Sequence, residues 1–261
     1  MSPLHLFVSP HFDDAIGACG GIMAQRAQRG ERVTLLTVFG GAPPGDPSDH
    51  ARDLHRTAGL PDAEAVAMRE AENWTAAARL GVTAASAPLP EAIYRQGKAG
   101  QWRYPTGPTL FGTGHSEDAA LVGAIERVVA DIADVAGGTT LIHLPMGIGR
   151  HIDHRLVALA GRRLAAGGRR VVHYEDFWWR ERAPPPRPQG LERRAVALSP
   201  ADIDAKVAAF AAYRSQIIGL YGTAAAMAAQ MRQVAIRDGA GTPAEPLWTP
   251  AAPLVDGPLA P

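Results

Sequence analysis

The stretch LHLFVSPHFDD, residues 4–14, decides the fold. Its apolar first half predicts a buried strand that ends at Ser9-Pro10. The two acidic residues that close the stretch suit a helix N-terminus, because carboxylates there face free backbone N–H groups. Apolar residues at helical spacing then run to a glycine stop at Gly30, and a β-branched run follows over residues 33–39. Strand, helix and strand in this order predict a βαβ unit and a parallel sheet.

The same alternation continues along the chain. Helical patterns cover residues 63–80, 117–135, 151–166 and 201–218, and short apolar runs predict strands over 139–144 and 170–174. Glycine and proline mark loops at 40–50, 96–114 and 183–190, and a tail without regular structure from 239 to 261. We therefore predict one domain over residues 1–261, with a Rossmann-like three-layer α/β/α fold and a mostly parallel sheet.

Composition narrows the class of protein. The 261 residues hold 26 basic and 26 acidic side chains, so the formal net charge is zero. Such a balance gives no electrostatic reason to expect nucleic acid or membrane as a partner. No targeting signal is visible, so we expect a cytoplasmic protein. Net neutrality fits a small, uncharged or weakly charged molecule as its partner, and a homo-oligomer stays possible. Because Cys19 is the only cysteine, a metal site has to use histidine and carboxylate ligands.

Histidines and carboxylates follow two of the predicted strands. His11, Asp13 and Asp14 come after the first strand, and the run His151-Ile152-Asp153-His154 comes after the strand over 139–144. The carboxyl ends of parallel strands share one edge of a sheet, which is where such folds bind ligands. A histidine there is often only structural, and an aspartate is often only a helix cap. Two such clusters at one edge instead favour a shared metal site of the catalytic type.

These residues resemble the motifs of a known family. Pro10-His11-Phe12-Asp13-Asp14 followed by Gly20-Gly21 is similar to the first motif of the LmbE/PIG-L family of zinc-dependent N-deacetylases, and His151-Ile152-Asp153-His154 is similar to its second. Phe12 stands where proline is common. Weaker matches run in family order along nearly the whole chain, among them Tyr174-Glu175-Asp176 and Tyr213-Arg214-Ser215-Gln216.

The resemblance implies a role for each residue. His11, Asp14 and His154 would bind Zn²⁺ or another divalent metal. Asp13 would be the general base, His151 would stabilise the oxyanion or serve the leaving amine, and Asp153 would orient a neighbouring histidine. Arg69, Tyr94 and Arg95 would bind substrate. The implied reaction is hydrolysis of an N-acyl amide, with acetyl as the expected acyl group, on an amino sugar or glycosylated metabolite.

Other interpretations stay open at this stage. The same site could cleave a different amide, such as a thiol conjugate or an antibiotic intermediate. A Rossmann-like nucleotide-binding protein is a further alternative, although two carboxylates in the first βα turn would repel a pyrophosphate. A non-catalytic binding module would not need a free base such as Asp13. Arg69 and Glu72 could be a helical surface pair. Trp178 and Trp179 could line the substrate site or pack beneath the proline-rich loop.

Overall fold

A computed structural model of the chain describes residues 2–136, 139–180 and 188–251. Within these residues, one sheet contains the strands β1 (Leu4–Ser9), β2 (Arg32–Thr37), β3 (Thr83–Ser86), β4 (Thr140–Pro145), β5 (Val171–Tyr174), β6 (Leu191–Ala197) and β7 (Ala244–Pro250). Their order is β3-β2-β1-β4-β5-β7-β6. The first five strands are parallel, and β7 runs antiparallel to both β5 and β6. The predicted mostly parallel sheet is therefore confirmed.

Helices cover both faces of this sheet. They are α1 (Asp14–Gln28), α2 (Asp49–Thr57), α3 (Ala65–Leu80), α4 (Ala119–Val135), α5 (Ile152–Ala166), α6 (Phe177–Arg180), α7 (Pro200–Phe210), α8 (Arg214–Tyr221) and α9 (Ala224–Asp238). One face carries α1, α3, α7 and α9, and the other carries α4 and α5. Along β1, Phe7 packs toward α1, whereas Leu6 and Val8 pack toward α4 and α5. Since both faces are covered, β1 is apolar and buried throughout.

Two predictions about the C-terminal third are wrong. The helical pattern over 201–218 forms two helices, because the backbone at Tyr213 leaves the helical region and its hydroxyl donates to the Phe12 carbonyl at 2.8 Å. The tail from 239 is not irregular, because residues 244–250 form β7 between β5 and β6. Most of the proline-rich loop predicted over 183–190 and the last residues, 252–261, lie outside the described residues.

A buried ion pair ties this last strand to the first helix. Glu245 of β7 accepts from Lys206 Nζ at 2.7 Å and from the backbone N–H groups of Gly21 and Ile22. A Cβ on Gly21 would lie 2.6 Å from Leu198, so glycine permits this close approach. The contact therefore joins β7 and α7 to α1, the helix that follows β1.

Candidate active site

A cleft of about 370 Å³ opens at the carboxyl ends of β1 and β4. The loop after β1 supplies His11, Asp13 and Asp14, and the start of α5 supplies His151 and His154. The structure thus brings together two motifs that are far apart in sequence, at the edge of the sheet where they were expected.

No helix in the described part of the chain is long and apolar enough to cross a membrane.

Three donor groups converge in the floor of this cleft. His11 Nδ1 lies 3.1 Å from Asp14 Oδ2, and His154 Nε2 lies 3.3 Å from the same oxygen. Two imidazole nitrogens and one carboxylate oxygen are a donor set that zinc accepts, with room left for a water. These three residues, predicted as metal ligands, form a group that can hold a metal ion in this structure.

The other nitrogen of each histidine is held by a carboxylate. His11 Nε2 donates to Asp153 Oδ2 at 3.0 Å, and His154 Nδ1 donates to Asp176 Oδ1 at 2.6 Å. Such bonds fix the tautomer and leave the inward nitrogen free to bind a metal. Asp153 therefore lies where it can orient His11, and this role stays a prediction. Asp176 was not assigned a role from the sequence, although its position directly after a strand was a usable signal.

Electrostatics also fit a cation at this point. Burial alone would lower the pKa of His154, yet Asp14 and Asp176 raise it to about 9. The surrounding carboxylates therefore stabilise positive charge where the inward nitrogens meet. A divalent metal would supply that charge without a proton, so the residues present fit the ion that the donor set implies.

Asp13 lies beside the triad with its side chain buried. Burial and the neighbouring charge of Asp14 raise the pKa of Asp13 to about 6, against the opposing charge of Arg69. A carboxylate with a pKa just below neutrality is ionised at pH 7 and can still accept a proton, which suits a general base. Arg69 lines the cleft, forms an ion pair with Glu91 and lies over the Phe12 ring at 5.5 Å.

His151 faces the same cleft as a neutral imidazole. Its Nδ1 accepts the backbone N–H of Asp153 at 3.3 Å and so caps α5. Burial and the charge of His11 lower the pKa of His151 to about 3. Since Nδ1 is an acceptor, the proton of the neutral ring is on Nε2, which makes His151 a hydrogen-bond donor.

Two of the residues predicted to bind substrate lie behind the cleft wall. Tyr94 is fully buried, and its hydroxyl pairs with His55 Nε2 at 2.6 Å. Arg95 is buried between Asp153 at 2.6 Å and Asp118 at 3.0 Å. Both residues are therefore buried beneath the residues that line the cleft, where they contact protein side chains. The reason is that Arg95 supplies the positive charge that the buried carboxylate of Asp153 needs.

Helices outside the two motifs supply further parts of the cleft. Trp178 and Trp179 of α6 line it, together with Ser215 and Gln216 of α8. Trp179 packs on Phe111 with ring centroids 4.9 Å apart. The Arg69–Glu72 helical pair considered from the sequence is not what forms, since Glu72 accepts from the backbone N–H and hydroxyl of Ser215.

Comparison with known proteins agrees with this geometry. Residues 6–165 match the model of the PIG-L family, described as GlcNAc-PI de-N-acetylase. The chain belongs to the PIG-L family. It is 33% identical over 245 residues to the 2'-N-acetylparomamine deacetylase of Niallia circulans, covering 83% of this chain and 82% of that one.

Solved structures of other family members have the same fold. The zinc-inhibited form of teicoplanin deacetylase Orf2 superposes with a TM-score of 0.83 at 27% identity, covering 94% of this chain and 97% of that one. The A40926 pseudoaglycone deacetylase Dbv21 superposes with a TM-score of 0.78 at 25% identity, covering 95% of this chain and 98% of that one. Family, fold and an N-deacetylase type of enzyme, all predicted from the sequence, are thereby confirmed.

Proposed function

We propose that this PIG-L enzyme removes an acetyl group from the amino sugar of a small glycosylated metabolite, with zinc as its metal. The observation that carries the proposal is the convergence of His11 Nδ1 and His154 Nε2 on Asp14 Oδ2, with Asp13 beside them. The deacetylase relatives support the reaction and the class of substrate. The cytoplasmic location, the lack of nucleic-acid or membrane partners and the oligomeric state stay predictions from the sequence.

Each side chain has a distinct part in amide hydrolysis. His11, Asp14 and His154 would hold the metal, which when bound activates water and polarises the amide carbonyl. Asp13 accepts the proton of the attacking water and can return it to the departing nitrogen. His151 donates its Nε2–H to the oxygen on which negative charge develops, a contribution of about 3 kcal/mol at comparable sites. Arg69 lies on the cleft wall beside Asp13, where it can orient the sugar.

Acetate release and metal content test this proposal together. The wild-type protein should contain one divalent metal per chain and release acetate from N-acetylglucosamine glycosides, and His154→Ala should lose both properties. Asp13→Asn should keep the metal and lose at least about a hundredfold in kcat. Asp134→Asn is a matched control, because this exposed carboxylate pairs only with Arg169 among the contacts described for it. Metal loss in Asp13→Asn, or near-normal turnover, would contradict the role of base.

A further inference from the structure

One side of the cleft, called the outer wall below, is formed by apolar residues that are more exposed than the buried His154. Leu54 and Ala58 from the α2 side face the cleft, and Gly219 and Leu220 of α8 join them. Leu54 is 41% exposed and Leu220 is 37% exposed. Exposed apolar side chains that line one cleft form a surface that an apolar ligand can cover.

The acidic side chains of the described cleft are all engaged near its floor. Asp14 lies between two histidines, and Glu91 is paired with Arg69. Asp13 is at the reacting end, where the proposed mechanism uses it. None of the described residues that line the outer wall is therefore a carboxylate that could pair with an ammonium group, and Asp62, which is bonded to His55, does not line the cleft. A cationic ligand would lose hydration there without gaining an ion pair.

The histidine of this wall is occupied as well. His55 is buried, its Nδ1 lies 2.7 Å from Asp62 and its Nε2 lies 2.6 Å from the Tyr94 hydroxyl. Both ring nitrogens are thus used within the protein, so the ring presents carbon to the cleft. On the side of α6, Trp178 and Trp179 add large aromatic surfaces that pack well against a sugar ring or an apolar group.

We infer, on the basis of the proposed function, that the substrate is an N-acetylamino sugar linked to an uncharged apolar group, and not a polycationic aminoglycoside. Overall identity alone would favour the second class, because a relative at 33% identity is a 2'-N-acetylparomamine deacetylase. The chemistry of the outer wall points the other way. The residues that decide the preference are Leu54, Leu220 and the two tryptophans.

Three matched glycosides of N-acetylglucosamine test the inference: methyl, hexyl and 6-aminohexyl. With the metal-loaded enzyme, the hexyl glycoside should have a kcat/KM at least about tenfold above the methyl glycoside, because several methylene groups leave water. The 6-aminohexyl glycoside should lose this gain, because its ammonium group has no partner on the wall. An aminohexyl glycoside that equals or exceeds the hexyl one, or equal values for hexyl and methyl, would overturn the inference. Acetate release from none of the three would instead overturn the proposed function and the inference with it.

A charge placed on the wall should reverse the preference. Leu220→Asp should lower kcat/KM for the hexyl glycoside about tenfold and raise it severalfold for the aminohexyl one. Ile236→Asp is the matched control, because Ile236 is an exposed apolar residue of α9 outside the lining of the cleft. It should leave the order of the three glycosides unchanged. If Leu220→Asp also leaves the order unchanged, the wall does not select the substrate and the inference fails.

Discussion

Replacing Asp176 with asparagine should weaken metal binding while leaving every proposed ligand in place. Asp176 is buried, its Oδ1 accepts from His154 Nδ1 at 2.6 Å, and its Oδ2 accepts the Ile148 N–H at 2.8 Å. An asparagine side chain has one acceptor oxygen where aspartate has two. Either His154 or the Ile148 N–H therefore loses its partner. If the asparagine NH2 group faces His154, it donates to Nδ1, and the proton of the neutral ring then lies on Nε2, the nitrogen that faces the metal site.

The size of this effect follows from the contacts that are lost. A buried polar group without its partner costs about 1–3 kcal/mol. Carboxylates that orient metal-bound histidines typically contribute about 10–100-fold to affinity, which is about 1.4–2.8 kcal/mol. We therefore expect the Kd for zinc to rise by about 10–100-fold in Asp176→Asn.

Competition with a chromophoric chelator measures this Kd directly. Far-UV circular dichroism of the same samples establishes that the variant is folded. Asp134→Asn removes an equal charge from an exposed ion pair with Arg169 and should bind zinc as the wild type does. A folded Asp176→Asn protein with wild-type zinc affinity would refute the reasoning, because His154 would then need no carboxylate to present its inward nitrogen.

Three other perturbations probe the fold around the site. Lys206→Met leaves Glu245 buried without its cation and should lower the free energy of unfolding by about 3–5 kcal/mol in urea denaturation; a loss below about 1 kcal/mol would mean that the pair does not hold β7 in place. Burial raises the pKa of Glu175, but hydrogen bonds from neighbouring arginine and tryptophan side chains hold it below the ordinary value of 4.5. Ionised Glu175 therefore stabilises the fold above pH 4.5, and this stabilisation should be lost as the pH falls through the lowered pKa. Glu175→Gln should flatten this acid-side fall in Tm, and an unchanged slope would contradict the assignment. Gly149→Ala adds a Cβ that would overlap the Trp179 side chain, at a φ of +80°, so it should raise KM for the glycoside while the zinc content stays at the wild-type level; an unchanged KM would show that Trp179 is not held by this contact.

The sequence predicts the elements whose signals are local. β1, α1 and β2 follow from apolar runs and a glycine stop, and both faces of these strands are covered, which makes the runs continuous. β7 could not be found in this way. Its residues, Ala244–Pro250, include two prolines and the acidic Glu245, a composition that disfavours a strand. The strand forms because β5 and β6 flank it and because Lys206 neutralises its carboxylate.

In the candidate site too, some residues are recognisable from the local sequence and others only from the tertiary structure. Its two histidine and aspartate clusters are each contained in a short segment, so the order of residues along the chain is enough to recognise them. The roles of Asp176 and Arg95 are not recognisable in this way, because each depends on a partner in a distant helix. Asp176 pairs with His154 and Arg95 pairs with Asp153, and both partners lie in α5. Only the packing of the strand ends shows what these two side chains face.

In this chain the reaction centre and the outer wall are built by different elements. The histidines that would bind the metal are positioned by carboxylates that follow β4 and β5, so the reaction centre depends on the register of the parallel sheet. The outer wall is built by α2, α6 and α8, none of which belongs to either motif. Changes in those helices can alter the wall without disturbing the reaction centre. Motif residues therefore identify the chemistry, whereas the substrate has to be inferred from Leu54, Trp178, Trp179 and Leu220.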